Sequence, residues 1–133
     1  MKVNASFRLV TLCACVLAGV SASAHHSISA EFDSTKPVTI KGTVSRIDWV
    51  NPHAHFFVEG EDGNGRKGTW DFELLPPARL MRKGWTRVSL RIGEVVTVSG
   101  ILSKDAPFGA FARKVVKSDG SEVFKDATEA DVQ

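Results

Sequence analysis

Residues 38–49 read VTIKGTVSRIDW, and their pattern is the strongest indication of the fold. Over its first seven positions apolar and polar residues alternate, which is typical of a strand with one buried face. The alternation then shifts by one residue, because the next large apolar side chains are Ile47 and Trp49. A shift of this kind predicts a bulge or sharp bend within a long strand. Gly42 lies mid-strand, as in strands that coil tightly around a barrel.

Downstream of this strand, the pattern predicts four more strands and one short helix. The alternating stretches that predict strands two to five are 53–59, 67–74, 94–102 and 110–117. Between strands three and four, residues 76–83 begin with two prolines and predict a short helix. This order, β-β-β-α-β-β, predicts an all-β, OB-fold-like five-stranded Greek-key barrel. Another small antiparallel barrel or sandwich is the alternative.

The first 24 residues predict a cleaved signal peptide. They combine a basic start, an uncharged apolar run and the small residues Ala22-Ser23-Ala24. The run is shorter than the roughly 20 apolar residues of a membrane helix. Cleavage follows Ala24 or, as an alternative, Ala22. The predicted divisions are a signal peptide (1–24), an extended arm (25–37), a barrel domain (38–124) and a disordered tail (125–133). We therefore expect a periplasmic protein without a stable membrane span.

Composition excludes several functional classes. The chain has 133 residues with 17 basic and 15 acidic side chains, and Lys2 and Arg8 lie in the predicted signal peptide. The exported chain is therefore formally neutral, which argues against a nucleic-acid partner. Both cysteines, Cys13 and Cys15, also lie in the signal peptide, so a disulfide framework is excluded. No catalytic motif is present, and we expect no enzymatic activity.

Several short motifs, taken together, resemble a family of small exported bacterial domains of unknown function. The motifs are Ala24-His25-His26-Ser27, Phe32-Asp33, Gly42-Thr43-Val44, Trp49-x-Asn51-Pro52-His53, Trp70-x-Phe72-Glu73 and the stretch from Gly84-Trp85-Thr86 to Gly100. The resemblance covers nearly all of 24–124. It implies an OB-like periplasmic domain and implies no activity. One departure is Glu94, a conservative change where an aspartate is expected.

The four histidines occur in two pairs, and this pattern predicts a metal site. His25 and His26 begin the mature chain if cleavage follows Ala24, and His25 then carries a free α-amino group. His53 and His55 are two residues apart on a predicted strand, so their side chains share a face. A site made of nitrogen ligands suits Cu(II) or Zn(II). The structural alternative is that the first pair is a polar chain start and the second pair belongs to a turn and strand.

Two functions follow from these patterns. The first is a periplasmic protein that holds one Cu(II) or Zn(II) ion through His25, His26, His53 and His55. The alternative is a non-enzymatic OB-like interaction module that binds a peptide, an envelope component or a partner protein. Asp71 and Glu73 share the polar face of strand three, and we expect a solvated edge there. Trp70 is expected in the core.

Overall fold

The computed structural model describes residues 27–125. The predicted signal peptide, His25, His26 and residues 126–133 lie outside the described residues. The elements in chain order are α1 (Ile28–Glu31), β1 (Phe32–Asp48), β2 (His55–Asp62), β3 (Lys67–Glu73), α2 (Pro77–Arg82), β4 (Val95–Ser103), β5 (Gly109–Lys117) and β6 (Glu122–Lys125). Neither α1 nor α2 has the length or apolarity needed to cross a bilayer, and this statement covers the described residues only.

The strands form one sheet that closes into a barrel. Their order is β3-β2-β1-β4-β5-β6, and a parallel pairing of β3 with β5 joins the two sides. All other pairings are antiparallel. A five-stranded closed sheet with a helix between β3 and β4 is the OB-like architecture that the sequence predicts. The sixth strand, β6, extends the sheet beyond β5.

Strand β1 is long because it serves both neighbours, β2 and β4. Its pairing register with β2 shifts between Val44 and Arg46, so the bend predicted from the change in alternation is confirmed. The strand begins at Phe32, whereas the sequence placed an extended arm up to residue 37. A second register shift lies between Asp33 and Pro37. The polar residues of this irregular stretch are exposed and show no alternation, which explains the difference.

The β2–β3 hairpin is organised by a buried carboxylate. Asp62 is 8% exposed, and its Oδ1 accepts hydrogen bonds from the backbone N–H groups of Asn64 and Arg66, both at 2.9 Å. The Arg66 side chain adds an ion pair at 3.4 Å. These contacts set the register of the hairpin, and they fix which residues of β3 face those of β2.

The core is aromatic. Trp70 is fully buried, as predicted, and its ring meets the Phe108 ring edge-on at 5.2 Å between centroids. Phe56 and Phe72 stack at 5.2 Å across β2 and β3. Trp49 is only partly buried, at the edge of this cluster.

Residues 76–93, here called the cap segment, include α2, lie between β3 and β4, and pack on the barrel. Leu80, Trp85 and Leu90 are its buried side chains that belong to the core cluster. The Trp85 ring lies 5.2 Å from the Phe124 ring. At the end of the segment, the Gly93 N–H donates to the Val44 carbonyl at 2.8 Å. Pro77 is buried as well, whereas Met81, Val88 and Ile92 of the same segment are exposed.

Candidate functional site

His55 is the first residue of β2, and His53 lies two residues before the strand, which the sequence predicted to begin at residue 53. Both side chains project from the outer face of the barrel. Ala54, between them, is fully buried. Because side chains alternate along an extended chain, the two flanking imidazoles leave the opposite, outer face. Their side chains are 27% and 30% exposed. The prediction that these two histidines share a face agrees with this geometry.

Each histidine is held by a carboxylate of β3. His53 Nδ1 lies 2.5 Å from Glu73 Oε1, and His55 Nδ1 lies 2.9 Å from Asp71 Oδ1. The pairing register sets His55 directly opposite Glu73, so the bond to Asp71 runs diagonally across the hairpin. The result is two neighbouring imidazole–carboxylate pairs on one face.

The expectation that Asp71 and Glu73 form a solvated edge is wrong for Glu73 and incomplete for Asp71. The Glu73 side chain is 14% exposed and the Asp71 side chain 45% exposed, and both contact an imidazole. A usable signal is present in the sequence. Across an antiparallel hairpin, residues that alternate with buried ones face the same side on both strands. The odd-numbered positions of β2 and β3 therefore share the outer face.

The carboxylates determine which ring nitrogen is available. A neutral imidazole has one N–H donor and one lone-pair nitrogen. With Nδ1–H donating to a carboxylate, Nε2 carries the lone pair, and this assignment follows from the hydrogen bonds. Metal-ligating histidines generally use this arrangement, in which a carboxylate on the second nitrogen orients the ring. In both imidazoles, Nε2 is therefore the nitrogen whose lone pair is available to a ligand.

The protonation equilibria of the site are shifted. The hydrogen bond that His55 donates to the Asp71 carboxylate raises the pKa of His55 against the opposing effect of burial. Burial raises the pKa of Glu73, and the carboxylate of Glu31 adds to this effect, while His53 and His55 oppose it. Several carboxylates therefore surround the imidazoles, and their negative charge favours the binding of a cation at this surface.

A depression of about 430 Å³ lies beside His55, Asp71 and Glu73, and Glu31 and Asp105 also border it.

Two hydrogen bonds hold the N-terminal helix α1 beside this depression. The Lys104 backbone N–H donates to the Glu31 carbonyl at 2.9 Å, and Lys104 Nζ donates to the Ser29 carbonyl at 2.6 Å. The chain segment that follows His25 and His26 is therefore anchored next to the imidazole–carboxylate pairs.

Within residues 27–125, no group of three or more His, Cys, Asp or Glu side chains is arranged to hold a metal ion. Of the four histidines predicted as ligands, the structure brings together His53 and His55. His25 and His26 lie outside the described residues. A complete metal site would need further ligands besides these two imidazoles.

We expect an NMR titration of His55 to give a pKa above its ordinary value of 6.5, because Asp71 stabilises the protonated ring. Asp71→Asn removes this charge and should lower the pKa of His55. Asp119→Asn makes the same change of charge in the β5–β6 turn and should leave the pKa of His55 where it is.

Because its pKa is raised, the folded state binds the His55 proton more tightly than the unfolded state does. The stability that the pair contributes is fully present below about pH 6.5 and is lost as the pH rises through the raised pKa. A wild-type His55 pKa at or below 6.5 would contradict the pairing.

Comparison with known proteins identifies the family of the chain. The model of a family of unknown function, DUF6152, matches residues 13–111, which is most of the chain. The chain belongs to DUF6152. The resemblance deduced from the motifs, to an uncharacterised family, is thereby confirmed. No curated protein sequence matches the chain.

Among solved structures, this DUF6152 chain is similar to a mitochondrial single-stranded DNA-binding protein of S. cerevisiae, Rim1. The identity is 9%, the TM-score 0.45, and the match covers 65% of this chain and 94% of that one. A selenomethionine-labelled crystal of the same yeast protein matches with 10% identity and a TM-score of 0.41, over 65% and 93% of the two chains. Similarity at this level says nothing about what the DUF6152 chain binds.

Proposed function

We propose that this protein is a periplasmic metal-binding protein that holds one Cu(II) or Zn(II) ion. His53 and His55 would contribute their Nε2 atoms, and His25 and His26 would complete the site together with the α-amino group of His25. The observation that carries the proposal is the pair of neighbouring imidazoles whose Nδ1 atoms are both held by carboxylates.

The carboxylates do more than fix the rings. A hydrogen-bonded carboxylate raises the basicity of a ligating imidazole, and changing such a partner typically weakens metal binding by about 10–100-fold. Glu31, Asp71 and Glu73 also place negative charge around the site, which attracts a divalent cation. The arrangement thus supports both the orientation of the ligands and the charge of the ion.

The distance along the chain permits the N-terminal histidines to take part. Glu31 borders the depression beside His55. The helix α1 begins at Ile28, and Ser27 precedes it. With a helical rise of about 1.5 Å per residue, the chain from Glu31 back to His26 spans about 10 Å. An imidazole at the end of such a segment is within reach of the described pair.

The choice of metal follows from the ligand atoms. Imidazole and amine nitrogens suit Cu(II) and Zn(II), and the intrinsic order of affinities favours copper. Both cysteines lie in the predicted signal peptide, and Met81 is the one methionine that follows it. A set of ligands without thiolates gives little support to a dedicated Cu(I) site.

The interaction module remains a second candidate because of one observation. An open depression of about 640 Å³ lies on the outer side of β1, β2 and β3, bordered by Lys41, Glu59 and Lys67 among others. The same face carries the carboxylates of Asp71 and Glu73, which would repel a phosphate backbone. This surface therefore favours a peptide or a partner protein over a nucleic acid.

Isothermal titration calorimetry of the chain that begins at His25 tests the metal proposal. We expect one Cu(II) or Zn(II) ion per chain, with affinity that falls as the pH falls, because protons compete for every proposed ligand nitrogen. His53→Ala should weaken binding by more than tenfold. Asp71→Asn should weaken it by about tenfold or more through loss of ring orientation. An additional residue before His25 should also weaken binding, because it displaces the α-amino group while keeping both rings.

The matched control is Asp119→Asn, which changes the same charge in a turn away from the site. Equal and weak binding by all these proteins would rule out the metal site and leave the interaction module. If the wild type binds strongly, His53→Ala abolishes binding and the additional residue leaves it unchanged, the metal site is supported and the α-amino group is not one of its ligands.

A further inference from the structure

The cap segment carries a concentration of positive charge. Five of the seventeen basic residues of the chain, and none of its fifteen acidic residues, lie within its 18 positions. The five are Arg79, Arg82, Lys83, Arg87 and Arg91. The formal neutrality of the exported chain conceals this local excess. Glu94 follows the segment directly, and its carboxylate accepts a hydrogen bond from the Arg91 backbone N–H at 2.7 Å.

The same segment exposes aliphatic side chains. Val88 is 68% exposed, Ile92 67% and Met81 54%. They are three of the five large hydrophobic residues that stand out as exposed in the part of the chain described here. Because Leu80, Trp85 and Leu90 anchor the segment to the core, the exposed residues are presented by a short, well-packed connection. The cap segment thus combines exposed aliphatic side chains with basic ones, which makes it a candidate interaction site.

We propose that the cap segment binds the surface of a bilayer that contains anionic phospholipids. Peripheral membrane sites combine basic residues, which attract the negatively charged headgroups, with aliphatic side chains that enter the boundary between headgroups and acyl chains. Arginine suits this role because its planar guanidinium group forms two parallel hydrogen bonds with a phosphate. The cap segment has four arginines beside its three exposed aliphatic residues.

The exposure of the aliphatic side chains favours a lipid surface over an acidic protein as the partner. The depressions bordered by Lys41 and by His55 lie outside the cap segment. Val88 and Ile92 instead protrude by more than half of their surface. Protruding aliphatic groups gain free energy when they leave water for the boundary between headgroups and acyl chains.

Sedimentation with vesicles tests this proposal on the chain that begins at His25, whose barrel lies within residues 27–125. We expect binding to phosphatidylcholine vesicles that contain phosphatidylglycerol, and little binding to phosphatidylcholine alone. The double substitution Arg82→Glu with Arg87→Glu should weaken binding by at least about tenfold. The matched control, Lys36→Glu with Lys67→Glu, has the same net charge but changes exposed side chains on β1 and β3. It should retain most of the binding.

A second pair of substitutions separates lipid from protein. Val88→Ser with Ile92→Ser keeps every charge, and we expect it to weaken binding to the anionic vesicles but not to poly-L-glutamate. Circular dichroism of each variant confirms the fold, since all substituted side chains are exposed. Equal losses from the Arg and Lys pairs, or binding to poly-L-glutamate without binding to vesicles, would overturn the proposal, and the latter would assign an acidic protein as the partner.

Discussion

Trp70→Ala is expected to lower the free energy of unfolding by about 3–5 kcal/mol, the usual cost of truncating a large buried aromatic side chain. Trp70 is fully buried inside the barrel and touches the Phe108 ring. The Arg66 guanidinium also lies over the Trp70 ring, 4.6 Å from its centroid. Removing the indole leaves a cavity that neither strand β3 nor the loop before β5 can fill. For a domain whose total stability is about 5–15 kcal/mol, this is a large fraction.

Urea titration followed by circular dichroism measures the change, and Trp70→Phe is the informative companion. Within residues 27–125, the Trp70 Nε1 has no hydrogen-bond partner. Phenylalanine keeps much of the apolar volume and removes this unpaired N–H, whose burial costs free energy. We therefore expect Trp70→Phe to destabilise far less than Trp70→Ala. A loss below about 1 kcal/mol for Trp70→Ala would show that the site tolerates truncation and that the packing described here is incorrect.

Gly100→Val is expected to prevent the barrel from folding. A Cβ atom at Gly100 would overlap the carbonyl oxygen of Phe111 and lie 3.0 Å from its carbonyl carbon. The pairing of β4 with β5 shifts register between Ser99 and Gly100, so the two backbones approach closely at this point. A backbone carbonyl in the ladder cannot move aside as a flexible side chain does. The added side chain therefore forces β4 and β5 apart.

Gly63→Val is the matched control, because a Cβ atom there meets no atom within 4 Å and Gly63 lies in the exposed β2–β3 hairpin loop. Thermal melting should show a cooperative transition for the Gly63 variant near that of the wild type. For the Gly100 variant we expect no native transition, or one lowered by many degrees. An unchanged melting temperature for Gly100→Val would mean that β4 and β5 do not pair in the register described.

The sequence predicted the barrel well because its evidence is local. Alternation in residues 38–49 gave the first strand and the bend in it, and the register shift between Val44 and Arg46 confirms that bend. The burial of Trp70 followed from its alternation with other apolar residues in β3. Patterns of period two report directly on which face of a strand is buried. These patterns were enough to predict the order of the strands and the side chains of the core.

Other features depend on contacts between distant residues, which periodicity does not report. The start of β1 was missed because Phe32 pairs with Ser103, and the polar residues between it and Pro37 show no alternation. The imidazole–carboxylate pairs depend on the register that Asp62 sets in the hairpin loop. The two histidines were recognisable as one pair, but their partners were not identified without the strand pairing.

The parallel seam between β3 and β5 is short, comprising Asp71 with Gly109, Phe72 with Ala110 and Glu73 with Phe111. The two outer positions of β3 in this seam are the carboxylates that hold His55 and His53. The depression beside His55 spans the seam, since Asp71 and Glu73 border it from β3 and Gly109 and Ala110 from β5. Local opening of the seam is the kind of event that amide hydrogen exchange detects. A ligand that needs both sides of the depression would bind only the closed barrel, and its binding energy would add to the protection of the seam amides against exchange.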